Sequence, residues 1–263
     1  MIESVYIVDD TPAQKRTLIT MGANVLSSKE DVENAVRQHP SANSWWIALQ
    51  EPSAHWLAYA LANSSVRVRG RLLAMKDIPA QLTTLFADRF DKLALKPHSH
   101  LPINEILTIF LRQDRDEFCI GGTVDQAAQA IICIRGDLTV ISAPLSFFES
   151  SSRVVPHFND FEVIDHGRTL RFGRYEAAFS ALLYERDSKY RRRLNKMREQ
   201  KERSLGASMR RLRKQRRLRL SDLGALEKTV ARIERGEVKV PRRQTLARIA
   251  KLLHVSPEQI QEY

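Results

Sequence analysis

Leu205-Gly206-Ala207-Ser208-Met209-Arg210-Arg211-Leu212-Arg213-Lys214 and Thr229-Val230-Ala231-Arg232-Ile233-Glu234-Arg235-Gly236-Glu237 are the stretches on which the reading of this chain turns. In the first, Leu205, Met209 and Leu212 recur at helical spacing while Arg210, Arg211, Arg213 and Lys214 take the other faces, the pattern of an amphipathic helix. Ser204 stands where an N-cap belongs, which predicts a helix from there to about Arg216. The second stretch predicts a helix from about Glu227 to Arg235, with Gly236 placed to stop it in the left-handed conformation. Between the two, a short helix is expected near Ser221-Asp222-Leu223, then a turn at Gly224-Ala225. Pro241 and Thr245 open a fourth helix ending near Leu253, and Ser256-Pro257-Glu258 caps a fifth. Leu218, Leu220, Leu246, Ile249, Leu252, Val255 and Ile260 continue the helical spacing, which a disordered basic tail has no reason to show. Residues 204–263 are therefore read as a compact all-α domain.

Charge is distributed unevenly around this domain. Residues 186–263 hold 24 Lys and Arg against 9 Asp and Glu, whereas residues 1–185 hold 18 against 22, so the formal net charge of +11 arises entirely at one end. A basic excess confined to one end is the electrostatic footprint of a nucleic-acid-binding module attached to something else. Residues 186–203 contain neither proline nor glycine and many helix formers, which predicts a charged helical connector, read as a solvated spacer ahead of the alternative of a helix lying on DNA.

The helical domain resembles the Xre or phage-repressor class of helix-turn-helix domains in three separated blocks: Leu205 to Lys214, Val230 to Glu237, and Thr245-Leu246-Ala247-Arg248-Ile249-Ala250. The resemblance covers about a quarter of the chain. It implies that Glu234 pairs with Arg213 in a structural role. It also implies that the third helix enters the major groove of duplex DNA, with Glu227, Lys228, Thr229 and Arg232 nearest to base edges or flanking phosphates. Phosphate contacts are expected from Arg210, Arg216, Arg217, Lys228, Lys239, Arg242 and Arg243. Two departures stand out: Arg219-Leu220-Ser221 replaces the glutamine often found at the start of the second helix, and the segment joining the second and third helices is short.

A chain of 263 residues exceeds the usual single-domain size of about 100 to 150. Ahead of the connector, residues 116–185 read as a small α+β domain. Ala130-Ile131-Ile132-Cys133-Ile134 and Leu138-Thr139-Val140-Ile141 flank a turn at Arg135-Gly136-Asp137; Phe161 to Ile164 and Thr169 to Phe172 repeat the strand-turn-strand pattern; a helix is expected from Tyr175 to Leu183. Asp160-Phe161-Glu162-Val163, with Gly167, Leu170 and Phe172 following, resembles a small bacterial domain of unknown function found ahead of such DNA-binding domains.

Residues 1–115 alternate apolar runs (Val5 to Val8, Trp45 to Leu49, Arg71 to Met75, Leu93 to Leu95) with helical stretches, which argues for an α/β domain with a parallel sheet covered on both faces. Asp9-Asp10 after the first run and Lys96-Pro97 after the last resemble a response-regulator receiver domain. That family holds Mg2+ on the first acids, phosphorylates a central aspartate and contacts the phosphoryl group with a lysine. Asp9, Asp10 and Lys96 match; the acceptor does not, because Ser44 to Trp56 offers only Gln50 and Glu51, and no Ser or Thr stands near Ala74-Met75. The domain is read as a pseudo-receiver used for dimerisation or partner binding.

Other chemistry is sparse. His98-Ser99-His100 lacks a third ligand, and His157 and His166 lack metal-ligand spacing, so no metal or other cofactor is expected. Cys119 and Cys133 read as buried hydrophobes in a reducing cytoplasm. No apolar run reaches the roughly 18 to 20 residues that span a bilayer, and the first residues do not form a secretory signal. No Walker A, HExxH, GxSxG or CxxC motif is present, so an enzyme is not expected. The chain is read as a cytoplasmic, dimeric bacterial transcriptional regulator that binds double-stranded DNA. Alternatives are a phosphorylation-gated response regulator, with Glu51 or Asp10 accepting phosphate, and an antitoxin-like protein whose front half binds a protein partner.

Overall fold

The computed structural model describes residues 4–9, 15–38, 43–65, 67–148, 154–201, 204–257 and 260. The chain divides into two compact units, Met1–Asp187 and Ser188–Tyr263.

The first unit opens with a parallel sheet. Its strands β1 (Val5–Val8), β2 (Asn24–Leu26), β3 (Trp45–Ala48), β4 (Arg71–Ala74) and β5 (Lys92–Ala94) lie in the order β2-β1-β3-β4-β5. This is a doubly wound order, whose connections reverse direction between β1 and β3. Every residue of β1 and β3 is buried, because a parallel strand is covered on both faces; hence the uninterrupted apolar runs. Helices α1 (Lys15–Thr20), α2 (Lys29–Gln38), α3 (Glu51–Ala62) and α4 (Ala80–Arg89) connect the strands. Adjacent tryptophans serve opposite faces. Trp46 stacks on Tyr6 with ring centroids 4.5 Å apart and joins Val32, Val36, Leu57, Leu61 and Phe86 of α2 to α4 in one core. Trp45 meets Phe110 of helix α5 (Ile103–Phe110), centroids 4.3 Å apart. Each fully buried tryptophan contributes on the order of 5 kcal/mol of gross burial.

Two antiparallel sheets complete this unit. Strands β6 (Ser99–His100), β7 (Cys119–Asp125), β8 (Ala130–Arg135) and β9 (Val140–Pro144) pair in chain order, as do β10 (Phe161–Ile164), β11 (Thr169–Phe172) and β12 (Tyr175–Ala178). Phe172 is fully buried among Phe148, Phe158 and Phe161, at centroid distances of 4.7, 5.3 and 5.4 Å. The Val163 N–H donates to Ser99 Oγ at 3.2 Å, linking β10 to β6. The division expected at residue 115 falls inside this unit, because β6 before it pairs with β7 after it. The expected helix from Tyr175 to Leu183 is also corrected. Tyr175–Ala178 pairs with β11 through a turn at Gly173, which satisfies its backbone in a sheet, and helix α6 (Phe179–Arg186) starts only afterwards. Strand β7 went unread because Gly121-Gly122 interrupts its apolar pattern. Arg135, almost fully buried, holds the end of α6 through Asp187, Nη1 to Oδ2 3.0 Å, and bonds Asp116 on its other side.

The second unit is helical: α7 (Ser188–Lys201), α8 (Leu205–Gln215), a 3-10 segment (Ser221–Leu226), α9 (Glu227–Glu234) and α10 (Arg243–Leu252). Met209, Leu212, Leu223, Leu226, Val230, Ile233, Leu246, Ile249, Leu253 and Ile260 form its core. The fifth helix expected from Ser256 falls largely outside the described residues. No helix among the described residues is long and apolar enough to cross a membrane.

One polar contact in the first unit is open to titration. Lys92 at the start of β5 donates to both the carbonyl and the carboxylate of Asp137, each at 2.9 Å, tying the parallel sheet to the β8–β9 turn. Burial pushes the Asp137 carboxyl up, but hydrogen bonds from Lys92 and Thr139 outweigh burial, and its pKa lies below the ordinary value. A carboxyl with a depressed folded pKa contributes stability that is present above the unfolded value, near 3.9, and lost as pH falls through the folded value. Asp137→Asn should therefore lower the urea midpoint of the first unit at neutral pH and flatten its further decline on acidification below about pH 4.

Candidate nucleic-acid interface

The site is assembled around the crossing of α8 and α9. The Ser204 side chain caps α8 by accepting from the Ala207 N–H at 3.2 Å. Gly206 lies against the end of α9 so closely that a Cβ there would stand 2.2 Å from the Ile233 carbonyl oxygen. The two helices therefore meet backbone to backbone, which no other residue at 206 permits. Glu234, 8% exposed, closes the junction. Arg213 grips its carboxylate in a fork, Nε to Oε1 and Nη2 to Oε2 both 2.7 Å, and donates from Nη1 to the Leu218 carbonyl at 2.9 Å. The hydrogen bond to Glu234 raises the Arg213 pKa above its ordinary value. A bidentate arginine-carboxylate pair fixes both distance and rotation between helices.

Arg210 also reaches this junction. Expected among the phosphate contacts, it is half-buried and donates from Nη2 to the Glu234 carbonyl at 2.5 Å. At three residues before Arg213 it faces the same helix end, so part of its charge serves the C-terminal carbonyls of α9.

The connection between α8 and α9 is compressed. The Asp222 carboxylate accepts from the Arg219 N–H at 2.7 Å and opens the 3-10 segment. Gly224, at φ 55° and ψ −126°, breaks it in a conformation restricted to glycine, so no second full helix forms before α9. Helix α9 ends at Gly236, φ 77°, with the Glu237 N–H reaching back to the Arg232 carbonyl at 3.0 Å and the Gly236 N–H to Ile233 at 2.9 Å. These two bonds satisfy carbonyls the helix end would leave open.

With Val230 and Ile233 in the core, α9 turns Glu227, Lys228 and Arg232 outward, and Thr229 is half-buried. Glu237 lies beside them. It accepts from Arg232 Nε at 3.2 Å and from Arg235 Nε at 2.6 Å; the bond from Arg235, then that from Arg232, holds its carboxyl below the ordinary range. Two exposed arginines thus share one carboxylate, an arrangement the sequence reading missed although Arg232, Arg235 and Glu237 lie within six residues. The remaining expected contacts fall at two ends of α10. Lys239, Arg242 and Arg243 are exposed at its N-terminal end, where no acidic residue occupies the first turn. Arg216 and Arg217 are exposed just past α8; Arg216 donates to the His254 carbonyl at 3.4 Å, beyond the C-terminal end of α10. A ten-residue helix, about 15 Å long, separates the two groups.

Elsewhere, the residues expected from the receiver resemblance follow strands of the parallel sheet. Asp9 follows β1, buried at 3% exposure, Gln50 follows β3, and Lys96 follows β5, where it pairs with Asp77 beyond β4. Asp10 lies outside the described residues. His166 Nδ1 sits 3.1 Å from Glu105 Oε2, and the His100 ring contacts the Leu101 carbonyl. Among the described residues no group of three His, Cys, Asp or Glu is arranged to hold a metal ion. Cys119 and Cys133 are buried free thiols, and the hydrogen bond between them, with burial, pushes the Cys133 thiol well above its ordinary value.

Comparison with family models matches residues 204–262 to a helix-turn-helix domain. No curated protein and no solved structure matches the chain. The second unit thus carries a helix-turn-helix domain, which fits a DNA-binding regulator.

The junction assigns separate costs to neighbouring charges. Glu234→Ala, which strands the nearly buried Arg213, should cost about 3 kcal/mol, and Arg210→Ala roughly 1 kcal/mol. Both should appear as lost hydrogen-exchange protection along α8 and α9 in the full chain. Lys228→Ala should leave protection unchanged.

Proposed function

We propose that this protein is a sequence-specific DNA-binding transcriptional regulator that reads duplex DNA with α9 in the major groove. The observation that carries the reading is the exposed Glu227-Lys228-Arg232 face of α9, held against α8 by the Arg213–Glu234 fork within a segment matching a helix-turn-helix domain. A helix locked in rotation presents the same side chains to the groove at each encounter, which base readout requires. Lys228, Lys239, Arg242 and Arg243 neutralise phosphates on the flanks, and Arg216 and Arg217 reach the backbone from the other end of α10. This reading assigns Lys228 and Arg232 of α9, beside Glu227 and Thr229, to base edges or the phosphates flanking them, Arg232 after release from Glu237. In this reading the Arg213–Glu234 pair is Xre-like architecture and Arg210 belongs with it.

The regulator works as a cytoplasmic homodimer, since one helix-turn-helix meets only a half-site and two-fold pairing doubles the interface. The first unit supplies dimerisation or protein-partner sensing through its receiver-like sheet. Asp9 and Lys96 stand at the strand ends, but Gln50 follows β3 where an acceptor carboxylate would be needed, so binding and not phosphoryl transfer is its role. The protein acts without catalysis and without a cofactor.

Recovery of DNA bound to the full chain in cells should yield a small set of sites sharing paired half-sites, lost when the chain is cut after Arg203. Diffuse or absent recovery would overturn the reading. On a recovered site, Lys228→Ala with Arg232→Ala should weaken binding at least tenfold and narrow the margin over unrelated duplex. An acyl-phosphate donor should leave no label on the protein; a stable label on Glu51 or Asp10 would favour a phosphorylation-gated regulator instead.

A further inference from the structure

Glu237 is an acid in a run of exposed cations. Of the two acids between Lys228 and Arg243, Glu234 is buried in the fork and Glu237 is exposed; the other exposed charges of that stretch are Lys228, Arg232, Arg235, Lys239, Arg242 and Arg243. A carboxylate at the C-terminal end of a helix opposes the helix dipole, and on a surface read as facing DNA it disfavours phosphates. Its place is nevertheless fixed by the backbone. The left-handed turn at Gly236 folds the chain back so that the Glu237 N–H bonds the Arg232 carbonyl at 3.0 Å. From there one carboxylate oxygen accepts from Arg232 Nε at 3.2 Å and the other from Arg235 Nε at 2.6 Å.

We propose that Glu237 is a specificity-determining residue, a carboxylate that withholds Arg232 and Arg235 from the phosphates of unrelated duplex and gives up Arg232 only to a base edge. The inference rests on the DNA-binding reading above and names what restrains its α9 surface. In the free protein Arg232 already has an anionic acceptor in place. A phosphate offers it a charge-assisted bond of the same kind, so exchanging one for the other gains little. A guanine edge, presenting O6 and N7, takes two arginine donors at once, whereas Glu237 holds Arg232 by Nε alone. Discrimination is a difference between affinities, and a group that disfavours the wrong partner widens it as surely as one that attracts the right one. Two exposed ion pairs together amount to roughly a fivefold factor in binding.

The test compares the full chain with Glu237→Gln, which keeps the backbone N–H that shapes the turn, each with and without Arg232→Gln and Arg235→Gln. Thermal melting followed by circular dichroism verifies that every variant folds. Binding is read by fluorescence anisotropy on a mixed-sequence duplex across a salt series, and on a site recovered from cells with the full chain. Glu237→Gln should bind the mixed duplex about fivefold more tightly at low salt, with a slope of log affinity against log salt steeper by about 1 to 2. On the recovered site the gain should stay below about twofold, so the margin between the two duplexes narrows. With both arginines replaced, the gain on the mixed duplex should also fall below about twofold. A larger gain persisting there would show that Glu237 acts by repulsion alone, against the inference. Unchanged affinity for the mixed duplex in Glu237→Gln would overturn it while leaving the role of α9 standing. Weaker binding to the recovered site would make Glu237 a support for Arg232 instead of a restraint, again against the inference. A parent chain that binds no duplex at low salt would overturn the DNA-binding reading itself.

Discussion

The helical unit depends on one close approach. At Gly206 the backbone of α8 touches the end of α9, with no room for a side chain between them. Everything that gives α9 a defined outer face follows from that contact. It brings Arg213 within forked reach of Glu234, it places Arg210 on the last carbonyls of α9, and it turns Val230 and Ile233 into the core. The ion pair is buried enough to be strict about geometry, since a misaligned charge there has no water to fall back on. The apolar core holds the helices together, while the glycine contact and the fork set their rotation.

The basic residues of this unit consequently divide by task. Arg213 is consumed internally, Arg210 bonds the end of α9 while staying part-exposed, Arg232 and Arg235 share Glu237, and Lys228, Lys239, Arg242 and Arg243 face outward. A net charge summed over the unit states that a polyanion is attracted. It does not state which cations arrive at the surface. Glu237 is instructive, because a carboxylate shared by two arginines lowers the charge at the C-terminal end of α9, whereas Lys228 is exposed near its other end.

In the first unit, β3 performs a comparable organising task. Trp45 and Trp46 are consecutive, so a strand directs them to opposite faces, and each nucleates a different layer: α2, α3 and α4 on one side, α5 on the other. The antiparallel sheets continue from the C-terminal side of that layer, with Lys92 bonded to Asp137 across the join. Such a join is why residues 1–187 pack as one unit even though their composition changes near residue 115.

Local periodicity and capping chemistry by themselves determined the helices of the second unit, the capping by Ser204, the stop at Gly236 and the buried apolar runs of the parallel strands. Each of these signals lies within a few residues of chain, where spacing and backbone preference act directly. The pairing of Arg213 with Glu234 was implied by a resemblance in the sequence, but its forked geometry and the presence of Arg210 beside it were not. Strand β12 hid behind the helix-forming residues Glu176, Ala177 and Ala178 because its conformation comes from pairing with β11, a contact that outweighs local propensity. Only the tertiary structure decided which arginines are inside, which strands join across residue 115 and how close Gly206 comes to Ile233. Those outcomes depend on residues distant in sequence competing for the same donors and the same space, and that competition is settled when the chain packs.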